Sequence, residues 1–556
     1  MYNLIITESF GSKLRRIYMT GAQAMVRCLE EEGITKVFGY PGVAIAPFYE
    51  GLYNSDIEHI LVRQEQNAGH AASGYARVSR KPAVCVVTSG PGATNLITAL
   101  ATAHADSIPL IAISGQVSSK LLGRDVFQEA DMRGATRSFV KHSYLVKNPD
   151  DIPRVFREAF YIASTGRKGP VLIDIPMDVQ EAELKKDFSY PDELLIRGYK
   201  PEIKINPIQL RRVVSLLDQS EKPLLCAGGG VILADGEPVI REFCEKFNIP
   251  LVHTMMGMGV LPKKHPLNFG MLGNNGKPYA NKALVRADLL IVVGARIADR
   301  AIPKPENLTR RAIIHIDIDT AEIGKNIGPT VPLVGDLKEI FSLMRDAEIS
   351  RKDDSWISEL DEIKKNTVDT RVFSDRFVDP NLLVQTLSEK LKDDAIYVAD
   401  VGQNQLWSAD NYVMKEGRFI TTGGMGTMGY SIPAAIGAKI VFPERQTVAV
   451  CGDGAFQMSM NELATMREHD VDIRILLVRN NYLGLVREFQ HYHYDSHYEG
   501  VELGRWPDYG KIAEAYGLPY NEVSSNSGLD EKLNWLLEGD GARMLVCDVD
   551  SENNVK

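Results

Sequence analysis

No two of the six cysteines stand in a Cys-x-x-Cys spacing, which removes the usual signature of a structural zinc or a dithiol redox site. Most of them lie in apolar runs, so they read as buried free thiols of a reducing, cytoplasmic compartment. No apolar run approaches the ~18 residues that a membrane span needs, so no membrane partner is expected. Basic charge is also short: the formal net charge is -10, which argues against a general nucleic-acid surface. Short repeats and low-complexity tracts are missing too. The first 18 residues are too irregular for a signal peptide. A globular pattern begins near Thr20, so the preceding stretch reads as an extension, a tag or an alternative start. What is present is ordinary globular material, 44% hydrophobic and 24% charged. With 556 residues the prior is three or four domains.

Three blocks alternate helical periods with short apolar runs, an α/β pattern with parallel strands. We place them at residues 1–190, 191–370 and 371–556. A polar, Pro-bearing stretch over 185–207 and a charged stretch over 348–379 read as the linkers. The third block carries Cys451-Gly452-Asp453-Gly454-Ala455 after the apolar run 446–451, and Asn480-Asn481-Tyr482 after the apolar run 473–478. Asp453 and Asn480 are 27 positions apart, about one strand-helix-strand unit. They can therefore stand side by side at the carboxyl ends of neighbouring parallel strands. A carboxylate, an amide oxygen and loop carbonyls suit a hard cation such as Mg2+ that also holds phosphate oxygens. Gly-Asp-Gly by itself reads equally as a plain turn. Glu65, between an apolar strand and a small-residue helix, reads by itself as a helix cap or a surface charge.

Taken together, the Asp453 and Asn480 motifs resemble the diphosphate anchor of thiamine-diphosphate enzymes. Further segments narrow the likeness: Val37–Gly42, Thr88–Asn95, Ser114–Val117, Asp125–Glu129, Asp400–Gln403 and Gly424–Gly429 occur in order. Over nearly all of Thr20 to Asn554 the chain resembles the acetolactate synthase (acetohydroxyacid synthase) catalytic-subunit family. The resemblance implies three consecutive parallel-sheet α/β domains: a pyrimidine-binding domain with the catalytic glutamate, a central FAD-binding-like domain, and a diphosphate- and Mg2+-binding domain.

The same resemblance assigns roles. Glu65 would hydrogen-bond the aminopyrimidine ring and favour the imino tautomer, whose nitrogen removes the thiazolium C2 proton; the thiazolium is then the electron sink. Phe127 and Gln128 would line the reaction centre, and Met428 would be the wedge that bends the cofactor. Gln403, Asn404, Gly454, Ala455, Leu483 and Gly484 would hold the diphosphate, and Asp453, Asn480 and the Tyr482 carbonyl would ligate Mg2+. For FAD the resemblance points to Arg167, Gly228, Gly229, Gly230, Thr254, Met255, Gly294, Arg296, Asp317, Ile318 and Asp336. The glycine run 228–230 alone reads as well as a structural turn. Arg300 would pin the carboxylate of a second 2-keto acid, with Phe489 in its pocket. Implied partners are 2-keto acids, a second copy of the chain in a homodimer or dimer of dimers, and room for a small regulatory subunit. The implied reaction joins the two-carbon unit of pyruvate to pyruvate or 2-ketobutyrate, in branched-chain amino-acid biosynthesis.

Departures from the family pattern fall mostly on the acceptor side. Met177 stands where lysine is usual, Asn274-Asn275 where Met-His is usual, and Phe489 where a tryptophan is. Ser118 replaces a proline, Val43 a glycine and Asn404 a histidine. The sequence stops at Lys556, where relatives continue with a Pro-rich tail, so a truncation or a different way of closing the site is expected. Two other readings stay open: a thiamine-diphosphate decarboxylase, oxidase or carboligase with another acceptor, and a catalytically impaired cofactor-binding homologue.

Overall fold

The computed structural model describes residues 19–302, 308, 311–367 and 376–555. The extension expected before Thr20 and the boundary expected at 370/371 lie outside the described residues. The apolar runs become strands covered on both faces, as parallel sheets packed between helices require. In the first block these are β1 (Lys36–Tyr40), β2 (Glu58–Leu61), β3 (Ala83–Val87), β4 (Leu110–Gln116), β5 (His142–Leu145) and β6 (Val171–Pro176). They pair in parallel in the order β2-β1-β3-β4-β6-β5.

The central sheet holds β7 (Pro223–Ala227), β8 (Leu251–His253), β9 (Asn268–Met271), β10 (Leu289–Val293), β11 (Ala312–Asp317) and β12 (Val331–Val334), ordered β12-β11-β10-β7-β8-β9. Counted by appearance, that is 3-2-1-4-5-6, the order of dinucleotide-binding sheets, with its switch point between β7 and β10. The third sheet holds β13 (Ile396–Ala399), β14 (Arg418–Ile420), β15 (Thr447–Gly452), β16 (Arg474–Arg479), β17 (Tyr520–Val523) and β18 (Arg543–Asp548). Its order, β14-β13-β15-β16-β18-β17, repeats that of the first sheet strand for strand.

The first and third blocks meet through the helices Glu65–Ser79 and Ser431–Val441. Both are rich in alanine and glycine. A β-carbon at Gly74 would collide with the Ala434 carbonyl, and one at Gly437 with that of Ala71, so the backbones cross in direct contact. Polar groups fix the register of this seam. Asp106 pairs with Arg77 at 2.6 Å and accepts the Gly424 amide at 2.8 Å. Buried Glu462 accepts from the Arg63 amide and from Asn67 Nδ2, both at 2.9 Å.

The second linker needs correction. Within it, Ser355–Lys365 forms a helix whose Trp356 and Leu360, one turn apart, are buried in the central block. Trp356 Nε1 donates to the Pro223 carbonyl at 3.0 Å, so part of the charged segment belongs to the central core. All six cysteines are free and buried.

Candidate active site

The carboxyl ends of β13, β15 and β16 bring one group of expected residues together. β15 leads straight into the helix Asp453–Ser459 with no intervening loop. Asp453 is buried; its Oδ2 accepts the Asn481 amide at 2.6 Å and its Oδ1 the Gly454 amide at 3.0 Å. Burial raises its pKa to about 6, because its hydrogen-bond donors are neutral amides and no cation offsets the lost solvation. Asn480 donates from Nδ2 to Gln403 Oε1 at 3.1 Å, and its Oδ1 accepts the Tyr482 amide at 3.0 Å. Asn481 adopts a left-handed φ of 62°, which asparagine tolerates, and so turns the chain back past Asp453. The loop is then clamped: Leu483 donates to Val501 and Leu503 to Asn481, each at 2.8 Å.

Gly454 and Gly484 face this cluster. A β-carbon at Gly454 would lie 2.9 Å from Leu483 and 3.4 Å from Met428; one at Gly484 would collide with the Gln403 side-chain oxygen. Buried Asp400, at the end of β13, accepts the amides of Gly429 and Ser431 at 3.0 and 2.8 Å, which fixes the loop that carries Met428. Asn404 is buried beside them, but its Nδ2 is spent on the carbonyls of Asp400 and Val450. It stitches the ends of β13 and β15 together.

In the first block, Glu65 opens its helix without capping it. Its Oε2 accepts Asn95 Nδ2 at 3.0 Å. Its Oε1 looks toward Gly92, where a β-carbon would stand at 3.3 Å. Gln128 holds a positive φ of 61° and backs onto the Gly90 turn, where a β-carbon would stand 2.9 Å from its own. A long side chain kept in that conformation is strained, as residues at functional sites often are. Phe127 beside it is 88% exposed. Among the described residues no hydrogen bond joins Glu65 or Gln128 to the Asp453 cluster.

The central block contributes a cavity of ≈ 1730 Å³. Its walls include Arg167, Gly229, Gly230, Thr254, Met255, Gly294, Arg296, Asp317, Ile318 and Asp336. Of the expected flavin contacts only Gly228 stays out of the lining. It packs against Gly294 and Ala295 at the switch point, and its amide bonds the Val293 carbonyl at 2.9 Å. Arg167 lies between Ser107, Asp319 and Glu322 at 2.9, 3.2 and 2.7 Å. Burial raises Asp317 to about 6. Arg300, Phe489 and Asn275 line the same cavity. The Arg300 side chain is 81% exposed, and among the described residues its nearest carboxylate is that of Asp299, at 3.7 Å, so the guanidinium is open to an anion.

Comparison with known proteins decides what this arrangement belongs to. Residues 19–135 match the family described as thiamine pyrophosphate enzyme, N-terminal TPP binding domain; 210–344 match its central domain; 400–547 match its C-terminal TPP binding domain. A probable acetolactate synthase large subunit of Methanocaldococcus jannaschii is 43% identical over 528 residues, covering 93% of this chain and 89% of that protein. An acetolactate synthase large subunit of Corynebacterium glutamicum is 44% identical over 514 residues, 90% and 82% of the two chains. An acetolactate synthase of Mycobacterium leprae is 44% identical over 523 residues, 91% and 83%. The chain belongs to the acetolactate synthase family of thiamine-pyrophosphate enzymes.

Within this family the residues present suit a diphosphate held through a cation. Asp453 is a buried carboxylate that, among the described residues, has no positive partner, and its neighbours offer oxygen donors. Among the described residues no group of three or more His, Cys, Asp or Glu forms a cage. Sequence reasoning gave no role to several residues of the site. Asn95 orients Glu65. Glu488 is buried and accepts Gln403 Nε2 at 3.0 Å. Arg487 stacks between the rings of Tyr498 and Tyr482, 4.3 and 5.1 Å from their centres. Asn95 and Glu488 act through partners 30 and 85 positions away. Only the charged pair Arg487-Glu488 amid helical spacing hinted at a buried role.

Proposed function

We propose that this chain is an acetolactate synthase that decarboxylates pyruvate on thiamine diphosphate and ligates the two-carbon unit to a second 2-keto acid, pyruvate or 2-ketobutyrate. The observation that carries the reading is the cluster at the ends of β13, β15 and β16, where a buried, cation-lacking Asp453 meets Asn480 and Gln403. Bound there, the cofactor supplies a carbon nucleophile and an electron sink. Asp453, Asn480 and the Tyr482 carbonyl would hold Mg2+. Gln403, Gly454, Ala455, Leu483 and Gly484 would hold the diphosphate, with Asn404 bracing them. Met428 would shape the wall above Gly454. Glu65, oriented by Asn95, would accept a hydrogen bond from the pyrimidine ring, and Gln128 would donate to a substrate oxygen. In this half-enclosed site a fixed carboxylate acts more strongly than in water.

The large cavity at the switch point of the central sheet suits FAD in size and position. Arg300 would take the acceptor carboxylate, beside Phe489. Exposed Phe127 and Val43 next to the Glu65 half-site favour completion by a second copy, hence a homodimer, alone or as a dimer of dimers. A small regulatory subunit as a further partner, a cytoplasmic location and a place in branched-chain amino-acid synthesis belong to the same reading. Among the described residues no helix is long and apolar enough to cross a membrane.

The test is incubation with pyruvate, thiamine diphosphate and Mg2+. Acetolactate with one CO2 released per two pyruvates is the expected outcome. Acetaldehyde as the main product would make it a simple decarboxylase, and no turnover a cofactor-binding homologue. Purified protein that takes up FAD supports the cavity assignment; one that makes acetolactate and ignores FAD overturns it.

A further inference from the structure

Behind the large cavity lies a second one of ≈ 160 Å³, on the seam between the central and third blocks. Met258, Met271 and Met414 line both, so three flexible side chains form the shared wall. Among the described residues, three lysines and one aspartate, Asp410, line the small cavity. Lys277 Nζ pairs with Asp410 at 2.6 Å. Lys263 Nζ donates to the carbonyls of Asp410 and Tyr412 at 2.7 and 3.2 Å, which closes the carboxyl end of the helix Gln403–Asn411. Lys364 Nζ lies over the rings of Tyr279 and Phe269, 5.6 and 5.8 Å from their centres, and among the described residues pairs with no carboxylate.

The remaining titratable groups do not balance this charge. His253 is held neutral, pushed down to about 4 by burial, and its Nδ1 is hydrogen-bonded to the Thr254 carbonyl at 3.0 Å. The hydroxyls of Tyr279 and Tyr412 are pushed up by burial and remain protonated. Lys263 is lowered to about 8, by burial first and then by repulsion from Lys277, with Asp410 pulling it back up and Lys364 adding a smaller repulsion. Like charges gathered around a cavity repel one another, and an anion entering it would relieve that repulsion. The lining also includes Leu261 and the three methionines, an apolar stretch beside the lysines. The volume is far below that of a nucleotide or drug-sized site.

We propose that this cavity binds a small aliphatic carboxylate that carries no ammonium group. Its carboxylate would meet the three lysines and its alkyl part the methionine wall. An amino acid would bring an ammonium group against the lysines. Phosphate would satisfy the charge but leave the apolar wall bare. Such a ligand touches two blocks at once, so its binding would brace their seam.

The experiment uses isobutyrate, valine and inorganic phosphate as probes, titrated into the purified protein by calorimetry and thermal shift. Isobutyrate is expected to bind and raise the unfolding temperature, with affinity falling as pH rises through 8 and Lys263 loses its proton. Lys364→Met, at an exposed position, should weaken it roughly tenfold, and Lys364→Arg should retain it. Arg300→Ala, in the large cavity, should leave it unchanged. Loss in Arg300→Ala with retention in Lys364→Met would place the binding in the large cavity and overturn the proposal. Tighter binding of phosphate or valine than of isobutyrate would overturn the ligand class, and no binding of any probe would overturn the site.

Discussion

The first and third blocks share one strand order, 2-1-3-4-6-5, and yet carry opposite chemistry at their strand ends. In the first, the second strand leads to a half-exposed carboxylate, Glu65, held by a single amide, with Gln128 in a strained conformation nearby. In the third, the first, third and fourth strands lead to a buried acid ringed by amides and glycines. On the proposed reading, one end would offer a hydrogen bond to a neutral ring and the other would gather charge. Topology places strand ends; the residues after them decide the task. The central block makes the same point from the other side. Its 3-2-1-4-5-6 order opens a crevice at the switch point, and there the glycines serve first to let two turns pack on each other.

Substitutions can break this division of labour. The largest effect is expected for Asp453→Ala, which should abolish thiamine-diphosphate binding at micromolar cofactor, since the diphosphate would lose its bridging cation. Wild-type affinity in calorimetry would remove the third block from charge binding. Glu65→Gln should keep the cofactor but slow exchange of its C2 proton by about 10²–10⁴-fold, the range of a lost acid-base partner. An unchanged exchange rate by NMR would leave the first block without its task.

The seam between the two blocks gives the next effect. Asp106→Ala strands the buried Arg77 guanidinium and should destabilise the protein by about 3–5 kcal/mol, seen as a lower urea midpoint. A midpoint equal to wild type would mean that the blocks are held by helix packing alone.

The contrast in burial also predicts a pH dependence. Burial raises Asp453 to about 6, so a cation bound there would have to displace its proton below that pH. Mg2+-dependent cofactor binding should weaken by about tenfold per unit below pH 6 and level off above it. The sign for stability is opposite. A raised carboxyl pKa means that the metal-free fold loses stability as pH climbs from about 4 to about 6. Flat binding between pH 5 and 7 would contradict the buried-acid account. The smallest effect concerns the acceptor. Phe489→Trp should raise the ratio of acetohydroxybutyrate to acetolactate severalfold when both keto acids compete, within the roughly 10–200-fold that a methylene allows. An unchanged ratio would take Phe489 out of the acceptor pocket.

Much of the fold was legible because its strands are covered on both faces and so appear as unbroken apolar runs. The 27-residue spacing correctly put Asp453 and Asn480 just past the carboxyl ends of adjacent strands, β15 and β16. Strand order was not legible, since it depends on which helices cover which face. Nor was the contact of Gln403 with Asn480, 77 positions apart, because spacing reports only within one strand-helix-strand unit; that of Asn95 with Glu65 depends on side-chain direction, which spacing does not give. The helix 355–365 was missed since its charged face dominates the composition, while Trp356 and Leu360 alone carry it into the core.

The most direct test mixes two inactive variants, Glu65→Gln and Asp453→Ala, so that subunits exchange. If the first block of one copy serves the third block of another, mixed dimers hold one intact site each and about a quarter of wild-type activity should return. If mixing restores nothing while each variant still dimerises, the two halves act within one chain, and the account of a site shared between copies fails.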